Sequence, residues 1–523
     1  MEKKYFGALL ACSRGVTNVA TVKRLMDKLS LMGYNLLELQ IDTEYKIKGE
    51  PFFGYLNGAY TKEEIQEMDR YAQSKGIELV PCIQTLGHLG RLLCIPAYAH
   101  LSDTPDALLV DEPKTYELID KMFQSISDSF SSRLINIGVD ETFNLGLGRY
   151  LCIHGYTDRY EILLRHVGKV VDLAKKYGFK PRMWSDMFEH LATEKDKNGV
   201  AIIDEKVIAQ VPEDIELCHW WYEKRSDEVW DAEFKMHNKF NRKIWFYGGS
   251  WTWWGYAPFN RYSIDAMKNG IIQAQKNGVE NIVITMWADS GHECSFFSAL
   301  PALYTMRQYY LGNTDESLIK QGFKETFAVE YDDFMLLDLP NKNPLNENFE
   351  KLDCTSRNVL FNDAFLGKMD SMIEKVLPIP FGEYRDILLS VAPRMGEYAY
   401  LFINLANLCN VCELKVDLGI KTRKAYQSEN KEELKRLVPV YYETAKRLES
   451  FKDSFKEYWL KDNKTSHTLL YHEVMLGGLI ARLKDCGERI EKYLDGRILE
   501  ISELTETILD NYGRWNSIWG WEF

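Results

Sequence analysis

The chain has 523 residues, of which 46% are hydrophobic and 27% are charged, and its formal net charge is −13. This length accommodates one large barrel and a further domain. The negative charge would repel phosphates, which argues against a nucleic-acid partner and favours a neutral ligand. The chain contains neither the apolar core of a signal peptide nor a run long enough to span a membrane, so we expect a cytoplasmic protein without a membrane partner.

The ten cysteines are scattered along the chain. This usage predicts reduced thiols and not a disulfide framework. Cys409 and Cys412 lie together in an apolar helical stretch that has no second pair and no nearby histidine, so we expect them to be buried core thiols and not zinc ligands.

Residues 5 to about 325 alternate between short apolar runs and amphipathic stretches, which is typical of a parallel α/β architecture. Eight runs are predicted strands: 5–11, 36–41, 78–83, 134–139, 180–184, 215–220, 243–247 and 281–287. Predicted helices between them include 21–31, 62–75, 157–177 and 263–277, which are followed by Gly33, Gly76, Gly178 and Gly278 as left-handed caps. Eight such units predict a TIM (β/α)8 barrel over residues 1–330. A doubly wound sheet would instead need a glycine-rich turn after its first strand.

Beyond residue 330 the strand-like runs disappear and long segments with helical periodicity follow, at 363–376, 384–415, 431–459 and 468–493. They predict an all-α C-terminal domain over residues 331–523. The aromatic tail from Trp515 to Phe523 is predicted to pack on its own domain, with an interface in a homodimer as the alternative.

The most informative feature is the acidic pair Asp140 and Glu141, which directly follows the fourth apolar run. Such a pair can simply cap the next helix. In a barrel of alternating strands and helices, however, the carboxyl ends of the strands carry the active site. Neighbouring side chains on a regular strand point to opposite faces, so both carboxylates can face one pocket only if the backbone is irregular there. We therefore predict an irregularity at this point.

Chemically active side chains also follow the other predicted strands. The first five strand ends carry Arg14, Asp42, Glu44, His88, Trp184 and Asp186. The later ends are aromatic and carry Trp220, Trp221, Tyr222, Tyr247, Trp251, Trp253, Trp254 and Trp287, followed by Asp289 and Glu293. Sugars present apolar C–H faces and many hydroxyls, so tryptophan walls around charged groups predict a pocket for a terminal saccharide.

These residues resemble a known family. The set Asp42, Gly87-His88, Gly138-Val139-Asp140-Glu141-Thr142, Trp184-Ser185-Asp186, Trp220-Trp221 and Met286-Trp287 is similar to the β-N-acetylhexosaminidases of glycoside hydrolase family 20. The chain opens directly on the barrel, as in a subgroup that has a helical C-terminal domain. Many members carry Asp where this chain has Gln84, so support for His88 is expected from elsewhere, with Asp42 as the candidate.

The resemblance implies an exo-acting enzyme that removes terminal β-linked N-acetylglucosamine, N-acetylgalactosamine or both from a small oligosaccharide or glycan. The implied mechanism is retaining and substrate-assisted, without cofactor or metal. Glu141 would be the general acid, Asp140 would hold the 2-acetamido N–H, and Asp42 with His88 would tune Glu141. Tyr247 would hold the acetamide oxygen, with Tyr222 or Tyr256 as alternatives.

The same resemblance implies the remaining substrate contacts. Arg14 would bind the outer hydroxyls, with Asp289 or Glu293 opposite it. The predicted walls are Trp184, Trp220, Trp221, Trp253 and Trp287. Trp254, His219 and His292 are pocket candidates without an assigned role.

Three alternatives remain at this point. A retaining β-glycosidase with a carboxylate nucleophile would have only Glu223 available near the seventh strand end. A catalytically silent sugar-binding barrel is disfavoured by the intact acidic pair. A metal-dependent enzyme could use Asp42, His88 and Glu141 as ligands, but no His-x-His or Glu-x-x-His cluster supports it.

Overall fold

A computed structural model describes residues 3–511 and shows a closed barrel of eight parallel strands. The strands in chain order are β1 (Phe6–Ala11), β2 (Leu36–Gln40), β3 (Glu78–Cys82), β4 (Leu134–Asn136), β5 (Lys180–Trp184), β6 (Glu194–Lys195), β7 (Ala201–Ile202), β8 (Glu216–Trp220), β9 (Ile244–Gly249) and β10 (Asn281–Met286). The pair β6 and β7 forms a separate antiparallel hairpin, and the barrel order is β1-β2-β3-β4-β5-β8-β9-β10 with β10 paired to β1. The predicted TIM barrel is confirmed.

Six of the eight predicted strands agree with the structure to within one residue at each end. The other two are instructive. Strand β4 ends at Asn136, three residues before the predicted end, and β9 continues to Gly249, two residues past it. Both differences lie at carboxyl ends, where the site residues are placed.

The barrel interior is filled by side chains from alternating strand positions, including Leu9, Val80 and Trp245. It also contains a buried polar layer. Glu38 on β2 pairs with Arg182 on β5 and accepts a hydrogen bond from Asn136 on β4, with Nδ2 to Oε1 at 3.0 Å. A charge is tolerated at this depth because it is paired and hydrogen-bonded.

Helices surround the barrel. Their bounds are Val19–Leu31, Lys62–Ser74, Gly90–Leu93, Pro113–Ser129, Arg149–His154, Arg159–Lys176, Asp186–Leu191, Glu205–Ile208, Asp227–Asn238, Asn260–Lys276, Leu300–Tyr310, Glu316–Phe327 and Tyr331–Phe334. Local sequence explains where several of these helices begin. The side chains of Asn18, Thr61 and Asp158 accept hydrogen bonds from free backbone amides in the first turn of their helices. The glycines predicted as caps have positive φ, between 70° and 81°.

The C-terminal part is helical, as predicted. Its helices are Thr355–Phe361, Asp370–Val376, Phe381–Val391, Ala399–Lys415, Leu418–Gln427, Lys431–Asp462 and His467–Leu494. The predicted helix 384–415 is interrupted by the two 3-10 turns Ala392–Arg394 and Gly396–Tyr398. Pro393 lacks an amide donor and Gly396 has a φ of 53°, which together explain the break. The boundary at residue 330 stays a prediction.

The helical part packs on the barrel loops after β1 and β10. Trp459 Nε1 donates to the carbonyl oxygen of Gly291 at 3.0 Å, and the Tyr458 hydroxyl donates to that of His292 at 2.9 Å. On the β1 side, the amide of Lys464 donates to the carbonyl of Val16 at 2.6 Å. These contacts fix both loops against the helix Lys431–Asp462.

No helix within residues 3–511 has the length and hydropathy that a membrane span requires. All ten cysteines fall in this range and are free thiols, as predicted, and Cys409 and Cys412 are buried. The aromatic tail Trp515–Phe523, for which packing on its own domain was predicted, lies outside the described residues.

Candidate active site

The backbone leaves the regular strand conformation directly after β4. Gly138 and Val139 have φ values of 75° and 78°, and Glu141 has a φ of 48°. Positive φ is a costly conformation for a β-branched residue such as Val139. The predicted irregularity is therefore confirmed, and its effect is that two adjacent carboxylates point to one side.

Gly138 is required by close packing at this break. A Cβ atom at this position would lie 2.1 Å from Oε1 of Gln84 and 2.8 Å from the carbonyl oxygen of Ile83. The strand pair β3–β4 can approach this closely only because residue 138 has no side chain.

One imidazole bridges the acidic pair. His88 Nε2 lies 3.2 Å from Oδ2 of Asp140 and 3.4 Å from Oε2 of Glu141. The Asp140 side chain is 13% exposed and that of Glu141 is 39% exposed. His88 itself has a φ of 56°, so the loop after β3 is also strained where it enters the site.

The charges of these groups are strongly interdependent. The Asp140 carboxylate, against the opposing effect of burial, raises the pKa of His88 to about 11. Burial alone would raise the pKa of Asp140, but the charge and hydrogen bond of His88 bring that pKa below its ordinary value. Asp140 is therefore a carboxylate and His88 an imidazolium at neutral pH. Burial raises the pKa of Asp42 to about 6, with Asp140 adding to the shift and His88 and Arg14 opposing it.

Two residues that received no site role from the sequence hold the pair in place. Gln84 Nε2 donates to Oδ1 of Asp140 at 2.8 Å, and Gln84 Oε1 accepts the amide of Val139 at 3.3 Å. Asp186 Oδ2 accepts the amide of Glu141 at 2.9 Å. Gln84 thus supports Asp140 and not His88. The position of both residues at strand ends next to β4 is the signal that could have indicated this role.

An aromatic wall lies beside the carboxylates. Trp287 Nε1 donates to the Tyr222 hydroxyl at 2.8 Å, and the rings of Trp220 and Tyr222 stack with centroids 5.2 Å apart. The ring centroids of Trp184 and Trp287 are 6.0 Å apart, and those of Trp253 and Tyr222 are 5.4 Å apart. Burial, together with the charges of the two nearby carboxylates, raises the pKa of Tyr222 well above its usual range. The structure therefore brings four of the five predicted tryptophans together around Tyr222.

The Tyr247 ring contacts Trp184 of this wall, with centroids 4.6 Å apart, but its hydroxyl faces the barrel core. The predicted strand ended at Tyr247, but β9 continues for two more residues, so Tyr247 lies inside the barrel and is fully buried. Its hydroxyl donates to Oε2 of Glu38 at 2.8 Å. In this structure the Tyr247 hydroxyl is used in the core, which disfavours its predicted role at a ligand's acetamide oxygen.

Trp221 also departs from its predicted place. Side chains alternate along β8 and its extension, so Trp220 and Tyr222 share one face and Trp221 points to the other. There the guanidinium of Arg225 lies 3.2 Å from the centroid of the Trp221 indole. Trp221 therefore packs on the outer side of the wall.

Glu293 is used in a contact between the barrel and the helical part. Its carboxylate is 2% exposed and receives two hydrogen bonds from Arg357, at 2.7 and 3.2 Å. Because this bidentate pair uses Glu293, Asp289 is the better candidate of the two residues predicted opposite Arg14. Asp289 is exposed, and its carboxylate interacts electrostatically with Arg14 and Glu141, which places it at the rim of the site.

The remaining candidates lie away from the acidic pair. Tyr256 packs against Phe451 and Phe455 of the helical part. Trp254 contacts Trp251, with ring centroids 4.9 Å apart. His292 is buried behind the loop that carries Arg14, and His219 belongs to a separate buried cluster.

A cavity of about 200 Å³ adjoins His88 on the β1–β3 side. It is lined by Ser13, Arg14, Asp42, Thr43, Glu44, His88, Gly90, Arg91 and Asp106. Burial, reinforced by the charge of Asp42, raises the pKa of Glu44 to about 8. The site thus combines two adjacent acidic residues, an aromatic wall and a polar cavity.

Comparisons with known proteins agree with this architecture. The family model for the glycosyl hydrolase family 20 catalytic domain matches residues 4–212, and that for the glycoside hydrolase 20C C-terminal domain matches residues 332–517. Together the two matches cover about three quarters of the chain.

Three relatives illustrate the range of similarity. Human hexosaminidase D is 21% identical over 63% of this chain and 68% of its own length. A beta-hexosaminidase of Vibrio furnissii is 26% identical over 32% of this chain and 35% of its own length. The structure of a Flavobacterium johnsoniae chitobiase aligns with 96% of this chain and 74% of its own, at 16% identity and a TM-score of 0.48. From the two family models, which match the barrel through β7 and the helical part, the chain belongs to glycoside hydrolase family 20.

Proposed function

We propose that this glycoside hydrolase is an exo-acting β-N-acetylhexosaminidase that works with retention through a substrate-assisted mechanism. The observation that carries the proposal is the acidic pair. Asp140 is held as a carboxylate by His88 and Gln84, and its neighbour Glu141 is turned to the same side and is more exposed. Two adjacent carboxyl groups with different surroundings are suited to two different roles.

In the first step Glu141 donates its proton to the glycosidic oxygen while the bond from that oxygen to the anomeric carbon breaks. The carbonyl oxygen of the substrate's own 2-acetamido group forms a bond to the anomeric carbon, giving an oxazolinium ion. Asp140 accepts a hydrogen bond from the acetamido N–H, orients the group and stabilises its positive charge. Water then attacks the anomeric carbon, gives a proton to Glu141 and restores the acetamide, with overall retention.

The wall around Tyr222 supports a pocket for the acetamide. Its hydroxyl oxygen already accepts the N–H of Trp287, so its own hydrogen can be donated to the acetamide carbonyl. The indoles of Trp184, Trp220 and Trp287 would exclude water from the developing charge. At the rim, Arg14 and Asp289 would bind the outer hydroxyls, which is where N-acetylglucosamine and N-acetylgalactosamine differ. Asp42 and His88 would set the charge around Glu141.

The end of β9 argues against a carboxylate nucleophile. The residues Tyr247-Gly248-Gly249-Ser250-Trp251 offer no acid. Glu223 is the nearest substitute, but burial, only partly opposed by Arg225, raises its pKa above the ordinary value, which disfavours the ionised form that a nucleophile needs. A mechanism that uses the substrate's acetamide needs no such residue.

We further propose a cytoplasmic location, supported by ten free thiols, and an oligosaccharide or glycan as substrate. Association into a homodimer through the aromatic C-terminal residues stays a proposal from the sequence.

Hydrolysis of paired 4-nitrophenyl β-glycosides tests the proposal. The N-acetylglucosaminide and N-acetylgalactosaminide should be turned over, and the plain glucoside should not. Comparable turnover of the glucoside would refute the substrate-assisted mechanism. The anomer that forms first, observed by proton NMR, should have the β configuration, and inversion would contradict the scheme equally.

A further inference from the structure

Four ligand-type side chains meet in a buried cluster outside the proposed catalytic pocket. They are Glu189, His219, Glu233 and His237, and one potential ligand atom from each lies within 4.8 Å of all the others. His219 belongs to β8, Glu189 to the short helix Asp186–Leu191, and the other two to the helix Asp227–Asn238. Three of the four residues are at most 3% exposed.

Hydrogen bonding accounts for only part of this cluster: both ring nitrogens of His237 and Oε1 of Glu233 have partners, but other polar atoms do not. His219 Nδ1 lies 3.6 Å from Oε1 of Glu189, which is too long for a hydrogen bond, and His219 Nε2 has no partner among the described residues. Oε2 of Glu233 is likewise buried without a partner in the described part of the chain. Unsatisfied buried polar atoms are costly, and an ion bound by Oε2 of Glu233 would give that oxygen the partner it lacks.

The geometry matches tetrahedral metal coordination. Ligand atoms about 2.0–2.1 Å from a zinc ion at tetrahedral angles are separated by roughly 3.3–3.4 Å. Glu189 Oε1 lies 3.4 Å from Nε2 of His237 and 3.6 Å from Nδ1 of His219. These two separations are therefore close to the edge length of such a tetrahedron, and all four ligand atoms lie within 4.8 Å of one another.

Surrounding groups orient the ligands as in metal sites. His237 Nδ1 lies 2.9 Å from the carbonyl oxygen of Glu233, so Nε2 is the ring nitrogen available as a ligand. Nε2 lies 2.9 Å from the Ser185 hydroxyl, and an ion would replace that contact, since Ser185 Oγ also lies 3.1 Å from the carbonyl oxygen of Cys218. Arg225 donates to Oε1 of Glu233 at 2.7 Å, so Oε2 is the free oxygen. Two carboxylates face a single guanidinium here, and a divalent cation would compensate the remaining negative charge.

We propose that Glu189, His219, Glu233 and His237 bind one divalent transition-metal ion, and that this ligand set favours zinc. Four protein ligands leave no open position, so the ion is structural. It would tie the short helix Asp186–Leu191 to β8 and to the helix Asp227–Asn238. That short helix begins at Asp186, which accepts the amide of Glu141, so the ion would stabilise the part of the barrel rim that positions the acidic pair.

Metal content of the full chain, purified without a histidine tag, tests this proposal directly. After chelation, dialysis and addition of zinc, elemental analysis should give about one equivalent per chain and a higher thermal midpoint. Cobalt in place of zinc should give the intense visible bands of a tetrahedral site. Less than about 0.2 equivalents of zinc with no tetrahedral cobalt spectrum would overturn the proposal.

Matched variants locate the ion. Glu189→Gln and His219→Gln should each lower the affinity for zinc by about 10–100-fold or more. His190→Gln, next to Glu189 on the same helix but exposed and outside the cluster, should bind zinc like the wild type. Full binding by both cluster variants would place the ion elsewhere and refute the assignment. If a variant does not fold, the stoichiometry and cobalt spectrum of the wild type still decide. Neither measurement uses a sugar, so failure of the proposed hydrolysis would leave this test intact.

Discussion

Replacing Tyr222 by phenylalanine removes one hydroxyl beside the acidic pair and leaves the ring in the aromatic wall. If that hydroxyl holds the acetamide oxygen, its loss removes a donor to the group that becomes the nucleophile. Removing one preorganised donor of this kind costs about 10²–10³-fold in kcat, or about 2.7–4 kcal/mol of transition-state stabilisation. We therefore expect kcat on the 4-nitrophenyl N-acetylglucosaminide to fall by at least about 10²-fold.

Tyr247→Phe is the matched control, because it makes the same chemical change in the same barrel. The Tyr247 hydroxyl donates to Glu38, which keeps its contacts to Arg182 and Asn136 when that hydroxyl is lost. The expected cost is a lower free energy of unfolding, by about 1–3 kcal/mol. Because this hydroxyl is used in the core, kcat should stay within about threefold of the wild type. This limit corresponds to a change of less than about 1 kcal/mol in the activation free energy.

The assay is a full measurement of kcat and KM for both variants, together with urea unfolding followed by circular dichroism. Unfolding separates loss of structure from loss of chemistry, since Tyr222→Phe also leaves Trp287 Nε1 without its acceptor. A kcat for Tyr222→Phe within threefold of wild type would refute the reasoning. So would an equal loss in Tyr247→Phe at unchanged stability.

Three further outcomes are expected. Glu141→Gln should abolish turnover of substrates with poor leaving groups and spare activated aryl glycosides more, since only the former need the proton; equal loss of kcat on both would count against Glu141 as the acid. Asp140→Asn should lower kcat on every 2-acetamido substrate by about 10²-fold or more, and an unchanged kcat would remove Asp140 from the mechanism. Burial raises the pKa of Glu44 from 4.5 to about 8, so the folded chain keeps a proton that the unfolded chain releases, and stability falls as pH rises through this window. The shift corresponds to about 4–5 kcal/mol at pH 8, and Glu44→Gln should remove this fall. Thermal midpoints of the variant that decline with pH as steeply as those of the wild type would show the assignment to be wrong.

The fold was predictable because its signals are local. Barrel strands are buried on both faces, so each appears as an apolar run bounded by polar residues. Helix starts and ends carry their own residues, such as Thr61 with Glu64 in a capping box and Gly76 at the end of the same helix. Such patterns place strands to within a residue, but they do not determine where a strand loses its last hydrogen bonds.

That limit explains why Tyr247 was misplaced. The run 243–247 is followed by two glycines, which indicate a turn by composition, yet Gly248 and Gly249 continue β9. A Cβ on Gly249 would lie 2.8 Å from both Tyr222 and Trp253. Gly249 thus serves close packing against the aromatic wall, whereas a Cβ on Gly248 would lie 2.6 Å from Sδ of Met267. Nothing local distinguishes that requirement from a turn.

The acidic pair shows what local sequence can provide at a site. Asp140 and Glu141 could be placed at a strand end. An irregular backbone could be predicted there, because neighbouring side chains on a regular strand point to opposite faces and cannot both face one pocket. Gln84 and Asp186, which hold the pair in this arrangement, follow the strands on either side of β4. Gln84 lies 56 positions from its partner Asp140, and Asp186 lies 45 positions from its partner Glu141. Their roles depend on the register between strands, which no pattern within one segment contains.

The outer rim of the site depends on contacts between residues that are even further apart in the sequence. Arg14 and Asp289 lie on loops that contact the helical part through Trp459, and Glu293 on the second loop is held by Arg357. Buried and doubly hydrogen-bonded, Glu293 fixes the course of the loop and does not face the ligand. In the proposed enzyme these loops bind the hydroxyls that distinguish one amino sugar from another. Its selectivity would therefore be set by how the helical part packs on the barrel, whereas the acidic pair is positioned by the barrel alone.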